Sequence, residues 1–341
     1  MDTDWQDDEK LRKLTFPRLF ITDFTLEDNL APIENRDEFT YGAPQADIGL
    51  LERLPFDLMN NILSPFDLVT LTAFRQVNRR AKELVDGLFQ FNAIISYAPN
   101  ALRGLIAVGL GKSFTCAPLY KALCSSFKCS FCDEFGGYIY LITCERVCFL
   151  CFTKRIVLQP MEPDQARGLF RLPRSLVDTL PYMTAVGGRY GKNAELINAG
   201  TGLIDARLVM DLAISHWGSL EAVYAILSET DRRIPRYFLR TKVPPSPGRV
   251  RQFLLWESTE VKGRSPNRFA AVVKAPWYDS ESGRVYRGFH CSACLDSPNP
   301  NYCRIQFTPE TFEKHLKVFG EVRYGRHEPP DGVEEPTGEI E

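Results

Sequence analysis

Residues 129–151 read CSFCDEFGGYIYLITCERVCFLC and contain two Cys-x-x-Cys pairs, at 129–132 and 148–151. Each pair can form a tight knuckle, and the residues between the pairs can bring four thiolates around one Zn²⁺ ion. Glycines at 136–137 mark a turn, and residues 138–143 are rich in the aromatic and β-branched side chains typical of a strand. The stretch therefore predicts a zinc ribbon on a β-hairpin. Its candidate ligands are Cys129, Cys132, Cys148 and Cys151.

Buried free thiols and disulfides are the competing interpretations for a chain with ten cysteines. The chain opens Met-Asp-Thr-Asp-Trp-Gln without an apolar signal segment. We therefore expect a reducing compartment, the cytoplasm and/or the nucleus, where disulfides are rare. Cys124 and Cys144 flank the two pairs, and each can either replace one ligand or remain a neighbouring free thiol.

Length and composition indicate a globular chain. Its 341 residues suffice for about two domains, or one large domain, with a proper core. The formal net charge of −2 gives no indication of nucleic-acid or membrane binding. No apolar run reaches the roughly 18 residues that a membrane span needs. Both ends are acidic, and we expect residues 1–47 to be largely irregular and residues 321–341 to be a disordered tail.

Short amphipathic segments with clear punctuation begin at Ile48. Leu58 and Ile62 lie four residues apart, as on one face of a helix. An apolar stripe at helical spacing then runs from Val77 to Leu88. On pattern alone, a local helical bundle that completes the core is the competing interpretation of these segments.

The order of residues over 48–90 resembles the F-box, the helical motif through which receptor proteins dock on the Skp adaptor of cullin-based SCF ubiquitin ligases. The resemblance is carried by Leu54-Pro55, Leu58, Ile62-Leu63, Leu68, Leu71, Phe74, Val77-Asn78-Arg79-Arg80 and Leu84-Val85. A docking motif of this kind needs apolar side chains that fill a groove of the partner. By resemblance, the adaptor-binding residues are Leu54, Pro55, Leu58, Ile62, Leu63, Leu68 and Leu71, while Phe74, Val77 and Leu84 face either the partner or the protein's own core.

An F-box followed by this cysteine pattern looks like a group of filamentous-fungal F-box proteins with cysteine-rich central regions. Leu180-Pro181 and Gly188-Arg189-Tyr190 resemble a Leu-Pro segment and a Gly-x-Tyr step that such proteins carry further along the chain. The likeness reaches from about residue 48 to 320.

A second, less complete ligand set lies near the C-terminus. Cys291-Ser-Ala-Cys294 is a further knuckle, and His315 follows on a helix that Thr308-Pro309-Glu310 predicts. In the related fungal proteins a cysteine often follows this histidine, but the corresponding residue here is Phe319. Cys303 can complete the site if its loop folds back, His290 is an alternative, and otherwise the cysteines are only packed. The candidate ligands of this second zinc are Cys291, Cys294, Cys303 and His315.

These observations predict an α+β protein. We expect a short-helix F-box at 48–90, a helical region at 91–240 that contains the zinc ribbon, and a small C-terminal β/zinc-like module at 241–320.

The function that the resemblance implies is that of a non-catalytic receptor. It would bind the Skp adaptor and, through it, a cullin, and would present a zinc-stabilised domain to an unknown protein target, acting by proximity. The alternative is a zinc-stabilised protein- or nucleic-acid-binding domain that works outside a ubiquitin ligase. The near-neutral charge argues against nucleic acid.

Enzymatic classes find little support in the sequence. It lacks HExxH, a zinc deaminase signature and a histidine recognisably placed to activate a cysteine. Gly109–Ser113 resembles a phosphate loop only superficially, because position 106 is isoleucine where the motif needs glycine. The two cysteine groups are also too far apart for the interleaved ligands of a RING ligase.

Overall fold

Helices dominate the first half of the chain, and short β-hairpins are concentrated in the second half. The structure is a computed structural model that describes residues 9–19, 21–32, 46–230, 265–297 and 301–328. The predicted α+β class is confirmed. The α-helices are α1 (Glu9–Leu14), α2 (Phe56–Leu63), α3 (Leu68–Arg75), α4 (Arg79–Asp86), α5 (Phe89–Tyr97), α6 (Pro99–Ala107), α7 (Cys116–Cys124), α8 (Phe149–Lys154), α9 (Pro163–Phe170), α10 (Arg174–Val177), α11 (Ala206–Trp217), α12 (Leu220–Thr230), α13 (Pro266–Ala270) and α14 (Pro309–Phe319).

The strands are all short and antiparallel where they pair. They are β1 (Thr15–Phe16), β2 (Tyr138–Tyr140), β3 (Glu145–Val147), β4 (Tyr182–Thr184), β5 (Gly188–Tyr190), β6 (Glu195–Ile197), β7 (Gly202–Ile204), β8 (Val272–Lys274), β9 (Trp277–Asp279), β10 (Arg284–Tyr286), β11 (His290–Cys291), β12 (Glu321–Arg323) and β13 (Arg326–Glu328). Short 3₁₀ turns include Leu26–Asn29, Gly49–Arg53, Ala293–Asp296 and Tyr302–Arg304. No helix in the described ranges is both long and apolar enough to cross a bilayer.

Side-chain caps set the starts of the helices α3 and α4. Asp67 accepts a hydrogen bond from the amide of Thr70 at 2.9 Å, and Asn78 accepts one from the amide of Ala81 at 2.8 Å. Each cap satisfies an amide that the first helical turn leaves without a partner. The two helices are then held together by a bidentate ion pair between Arg75 and Asp86, at 2.6 and 3.0 Å.

The predicted hairpin of the ribbon gains a third strand from far along the chain. β2 pairs with β3 on one side and with β8 on the other, with Ile139 opposite Val273. Both of these side chains are fully buried in the main core, which also contains the buried residues of α2 to α7. The main core therefore contains residues from both sides of the predicted boundary near residue 240. Residues 231–264, which include part of that boundary, lie outside the described ranges.

Arg268 is buried in this core and binds backbone carbonyls. Arg268 donates to the carbonyls of Phe152 and Arg155 at 2.7 and 2.6 Å, and to the side chain of Gln159 at 3.1 Å. It thereby satisfies carbonyls at the end of α8, where a helix leaves such groups unpaired and carries partial negative charge. Burial lowers the pKa of Arg268 to about 10, so the side chain remains charged at neutral pH.

A second apolar core lies between α9, α10, α11 and α12, with Val209, Ala213 and Val223 fully buried. Arg207 at the start of α11 donates to Thr143 and forms an ion pair with Glu145, both in or beside the turn of the ribbon hairpin. This second core is therefore joined directly to the ribbon.

The N- and C-terminal parts of the described chain differ from the sequence-based expectation. Residues 9–29 contain a helix, a strand and a 3₁₀ turn rather than being largely irregular, and β1 pairs with β11. Residues 321–328 form the hairpin β12–β13, so the predicted disordered tail began too early. Together with α14, these elements enclose a third apolar cluster around Phe289, Phe307 and Phe312.

Candidate metal centres and an exposed apolar face

The structure brings the four cysteines of the ribbon together. Their sulfur atoms all lie within 4.8 Å of one another, and the Sγ atom of Cys132 lies 3.6 Å from those of Cys148 and Cys151. A tetrahedral zinc site with Zn–S bonds of about 2.3 Å has S···S edges of about 3.8 Å. The donor set therefore fits a zinc ion in both chemistry and spacing.

Hydrogen bonds from the surrounding chain reach three of these sulfur positions. The amides of Phe131 and Cys151 point to the Sγ atoms of Cys129 and Cys148 at 3.4 and 3.3 Å, and Nε of Arg155 donates to Cys151 at 3.3 Å. Four thiolates around Zn²⁺ carry a net charge of −2, and the Arg155 cation offsets part of it. Such contacts orient the ligands of a metal site and adjust their basicity.

The buried side chain of Arg146, on β3, binds backbone carbonyls of the ribbon and of two neighbouring segments. Its guanidinium donates to the carbonyls of Ala122 and Leu123 at 3.0 and 3.2 Å, to Gly136, and to Ala275 and Pro276 at 3.3 and 2.7 Å. These carbonyls belong to the end of α7, the ribbon and the segment after β8. Burial lowers the pKa of Arg146 to about 10, which leaves it charged at neutral pH. One side chain thus joins three separate segments.

The second cluster consists of Cys291, Cys294, His315 and His327. Nε2 of His327 lies 3.4 Å from the sulfur atoms of both cysteines, and Nε2 of His315 lies 3.4 Å from Cys294. The two imidazole nitrogens are 3.1 Å apart. A tetrahedral Zn²⁺ ion with two sulfur and two nitrogen ligands has S···N and N···N edges of about 3.6 and 3.3 Å. The arrangement fits zinc as a Cys₂His₂ site.

The predicted fourth ligand was wrong, because His327 takes the position that Cys303 was expected to fill. Cys303 is buried outside the cluster, where its sulfur accepts a hydrogen bond from Arg304. The alternative ligand, His290, stacks on Phe16, and its Nδ1–H donates to the carbonyl of Ile305 at 3.0 Å. Burial lowers the pKa of His290 to about 4, so it is a neutral core histidine.

Neighbouring groups fix the orientation of the two histidine ligands. Nδ1–H of His327 donates to the carbonyl of Gly320 at 3.0 Å, which leaves Nε2 free to face the cluster. His315 packs among the rings of Phe307, Phe312 and Phe319. Sequence reasoning missed His327, because Gly325 indicates at most a local turn and nothing near it in the sequence places this histidine beside the cysteines.

The flanking cysteines are not part of either cluster. Burial raises the pKa of Cys116 to about 11 and that of Cys144 to about 12, so both thiols are protonated at neutral pH. Cys124 donates its S–H to the carbonyl of Tyr120 at 3.0 Å. Cys144 occupies the ribbon turn with a φ angle of 56°, the left-handed region. These three residues are structural thiols rather than ligands of the two clusters.

The helix α2 presents an apolar face to solvent. Phe56, Leu58 and Ile62 are 51%, 50% and 40% exposed, and Pro55 beside them is also exposed. The opposite face, with Met59 and Leu63, is buried in the main core. Four further apolar side chains of this part of the chain are exposed. They are Leu50, Leu51, Val77 and Phe89.

The predicted adaptor-binding residues therefore divide into two groups. Pro55, Leu58 and Ile62 are exposed, and Leu54 is half-buried. The other three residues are at most 2% exposed and pack in the protein's own core, so they are not available to a partner in this structure. They are Leu63, Leu68 and Leu71. Helical periodicity placed Leu58 and Ile62 on one face of α2 but could not tell whether that face meets the core.

Comparison with known families identifies one part of the chain. Residues 51–89 match the model of the F-box domain, so the chain contains an F-box domain that includes α2, α3 and α4. No curated protein and no solved structure matches the chain. The two clusters of candidate metal ligands lie outside the matched segment.

Proposed function

We propose that the protein is a non-catalytic receptor of an SCF-type ubiquitin ligase. It binds the Skp adaptor through its F-box domain and, through the adaptor, a cullin. The observation that carries this proposal is that residues 51–89, which match the F-box model, present an unpaired apolar face. An apolar helix face of this kind is what groove-binding motifs place into a partner.

The face consists of a few large side chains rather than of the whole motif. Leu58 and Ile62, four residues apart, project from one side of α2, and Met59 and Leu63 hold the helix in the core. A rigid helix loses little conformational freedom on binding, so its contacts contribute to affinity with a small entropic cost. We therefore assign adaptor binding to this face and not to the buried leucines of α3.

Two structural zinc ions stabilise the part of the receptor that follows the F-box. One is bound by Cys129, Cys132, Cys148 and Cys151, and the other by the Cys₂His₂ cluster. All four positions of each site are filled by protein side chains, which is typical of structural rather than catalytic zinc. The proposed setting is the cytoplasm or the nucleus, where thiolates stay reduced.

The receptor itself performs no bond chemistry. Its role is to raise the local concentration of a bound target near the ubiquitin-loaded enzyme. The target is a protein whose identity is determined by the surface beyond the F-box.

The test is co-expression with the Skp adaptor, followed by size-exclusion chromatography and metal analysis of the peak. The variant Leu58→Asp/Ile62→Asp places two charges on the exposed face and leaves the core unchanged. We expect it to lose more than about 100-fold in affinity, since residues at the centre of an interface contribute about 2 kcal/mol or more each. Leu196→Asp, at a 73% exposed position of β6, is the matched control and should bind like the wild type.

Metal analysis of the wild-type complex should give about two zinc ions per chain. A well-folded wild-type protein that forms no complex with the adaptor would contradict the receptor assignment. Unchanged binding of the double variant would show that the docking face lies elsewhere.

A further inference from the structure

The N-terminal segment 9–16, called the strap below, lies directly on the second cysteine–histidine cluster. Its strand β1 pairs with β11, with Thr15 opposite Cys291. Both the amide and the hydroxyl of Ser292 donate to the carbonyl of Leu14, at 2.9 and 2.8 Å. The strap therefore binds the same short strand that supplies the first ligand of the cluster.

Apolar contacts add to this pairing. Leu11 and Leu14 of the strap pack against the third apolar cluster, whose buried members include Cys291 and Cys294. The ring of Phe16 stacks on His290 with a centroid distance of 5.5 Å. The strap thus packs on the apolar cluster that contains two of the four candidate ligands, Cys291 and Cys294.

The cluster under the strap is small and has its parts spread over the chain. Its buried apolar members are Phe289, Cys291, Ala293, Cys294, Phe307 and Phe312. The four ligands come from β11, the 3₁₀ turn Ala293–Asp296, α14 and β13. A core of this size rarely stabilises such a module without a metal, disulfides or a partner. The free energy of metal binding then contributes directly to the folding free energy of the module.

The strap also has little stability of its own. The helix α1 is six residues long, which is too short to persist in water without tertiary contacts. A second attachment follows it in the chain, since Asp23 forms a buried ion pair with Arg304, and Leu26 is fully buried in the main core. Residues 9–16 are therefore the part whose docking depends on the cluster.

We propose that metal binding at Cys291, Cys294, His315 and His327 is what docks the strap onto the body of the protein. This inference rests on the second zinc site of the proposed function. With the site loaded, β11 is held in place. Its edge is then available to β1, and the apolar cluster is available to Leu11 and Leu14 of the strap. Without the metal, β11 loses its fixed position and the strap is released. By linkage, a docked strap must strengthen metal binding by the same factor by which the metal favours docking.

Hydrogen exchange on the full-length protein tests the proposal. In the zinc-loaded wild type, docking should protect the amides of residues 9–16 from exchange. The isolated segment has no stable structure, so this protection reports docking. In His327→Ala, we expect about one zinc fewer per chain and at least about tenfold faster exchange in the strap. Exchange in α6, which is buried in the main core, should not change and reports that the protein is folded. Tyr324→Ala, at the fully exposed tip of the same hairpin, is the matched control and should keep both the zinc and the protection.

The reciprocal variant acts from the strap and leaves every ligand in place. Leu14→Ser removes an apolar contact, and in competition with a chelator it should bind one of the two zinc ions roughly 5- to 150-fold more weakly, the range of typical coupling between sites. The affinity of the ribbon site for zinc should stay at the wild-type value. This arm keeps the proposal testable if His327→Ala does not fold.

The outcomes separate the two proposals. If His327→Ala loses one zinc but the strap stays protected, or if Leu14→Ser leaves both zinc affinities unchanged, the strap inference is wrong and the zinc site stands. If the wild type binds only one zinc and His327→Ala binds the same amount, the second metal site itself is wrong, and the strap inference fails with it.

Discussion

Replacement of Arg146 by methionine tests how the ribbon is joined to the rest of the protein. Arg146 is buried and donates to five backbone carbonyls from the end of α7, the ribbon and the segment after β8. Methionine fills much of the same volume but donates no hydrogen bond, so these carbonyls would lose their partner.

The expected cost follows from two opposing terms. Hydrogen bonds to a charged donor contribute about 1.5–3 kcal/mol each, and an unsatisfied buried carbonyl costs about 1–3 kcal/mol. Removal of a buried cation returns part of its desolvation penalty, which offsets several of these losses. We therefore expect Arg146→Met to lower the free energy of unfolding by about 3–5 kcal/mol, which is a change in melting temperature of about 6–20 °C at 2–4 °C per kcal/mol.

Thermal and urea unfolding in zinc-containing buffer measure this change. Arg146→Lys keeps the charge but has three donors on one nitrogen, so it cannot reach carbonyls on three segments and should recover only part of the loss. Arg189→Met, at an exposed position of β5, is the matched control and should stay within about 0.5 kcal/mol of the wild type. An Arg146→Met protein within about 1 kcal/mol of the wild type would refute the reasoning, because the five hydrogen bonds would then contribute nothing net.

Two further predictions concern the N-terminal attachment. Asp23→Ala leaves the guanidinium of Arg304 buried without its carboxylate, so it should lower the free energy of urea unfolding by about 3–5 kcal/mol. The double variant Asp23→Ala/Arg304→Met should recover part of that loss. A single variant as stable as the wild type would contradict this prediction. Burial raises the pKa of Glu27 above its ordinary value of 4.5, and the nearby Lys274 opposes this shift. Ionisation of Glu27 therefore disfavours the folded state at neutral pH. This penalty falls as the pH drops through the raised pKa and is gone below about 4.5. Glu27→Gln should therefore have a higher urea midpoint than the wild type at pH 7 and an equal one near pH 4, and a difference that is the same at both pH values would argue against the shifted pKa.

Local patterns in the sequence were sufficient for the ribbon and for the location of the F-box. The four ribbon cysteines lie within one hairpin, so their spacing alone predicts that they meet, and the structure brings them together. The F-box prediction at 48–90 agrees with the family match at 51–89. In both cases the contacts that define the feature are formed by residues close together in the chain.

Contacts between distant residues account for what could not be predicted. The pairing of β2 with β8 and the approach of His327 to Cys291 depend on how far-apart segments dock, and no short pattern encodes that. The buried arginines were also missed, because a lone arginine in sequence is far more often exposed than buried. Leu63, Leu68 and Leu71 were assigned to the partner for a related reason: an apolar stripe shows that a face is covered but not what covers it.

The third strand of the ribbon sheet also constrains the order of events during synthesis. Domains usually fold as they leave the ribosome, from the N-terminus onward. The helices of the F-box can pair with one another early, but the edge of β2 has no strand partner on that side until β8, residues 272–274, has been made. During this interval the nascent chain exposes an open strand edge next to reactive thiols, a combination that favours wrong pairing with other chains. Early capture of a metal ion by the ribbon cysteines would protect the chain over that interval.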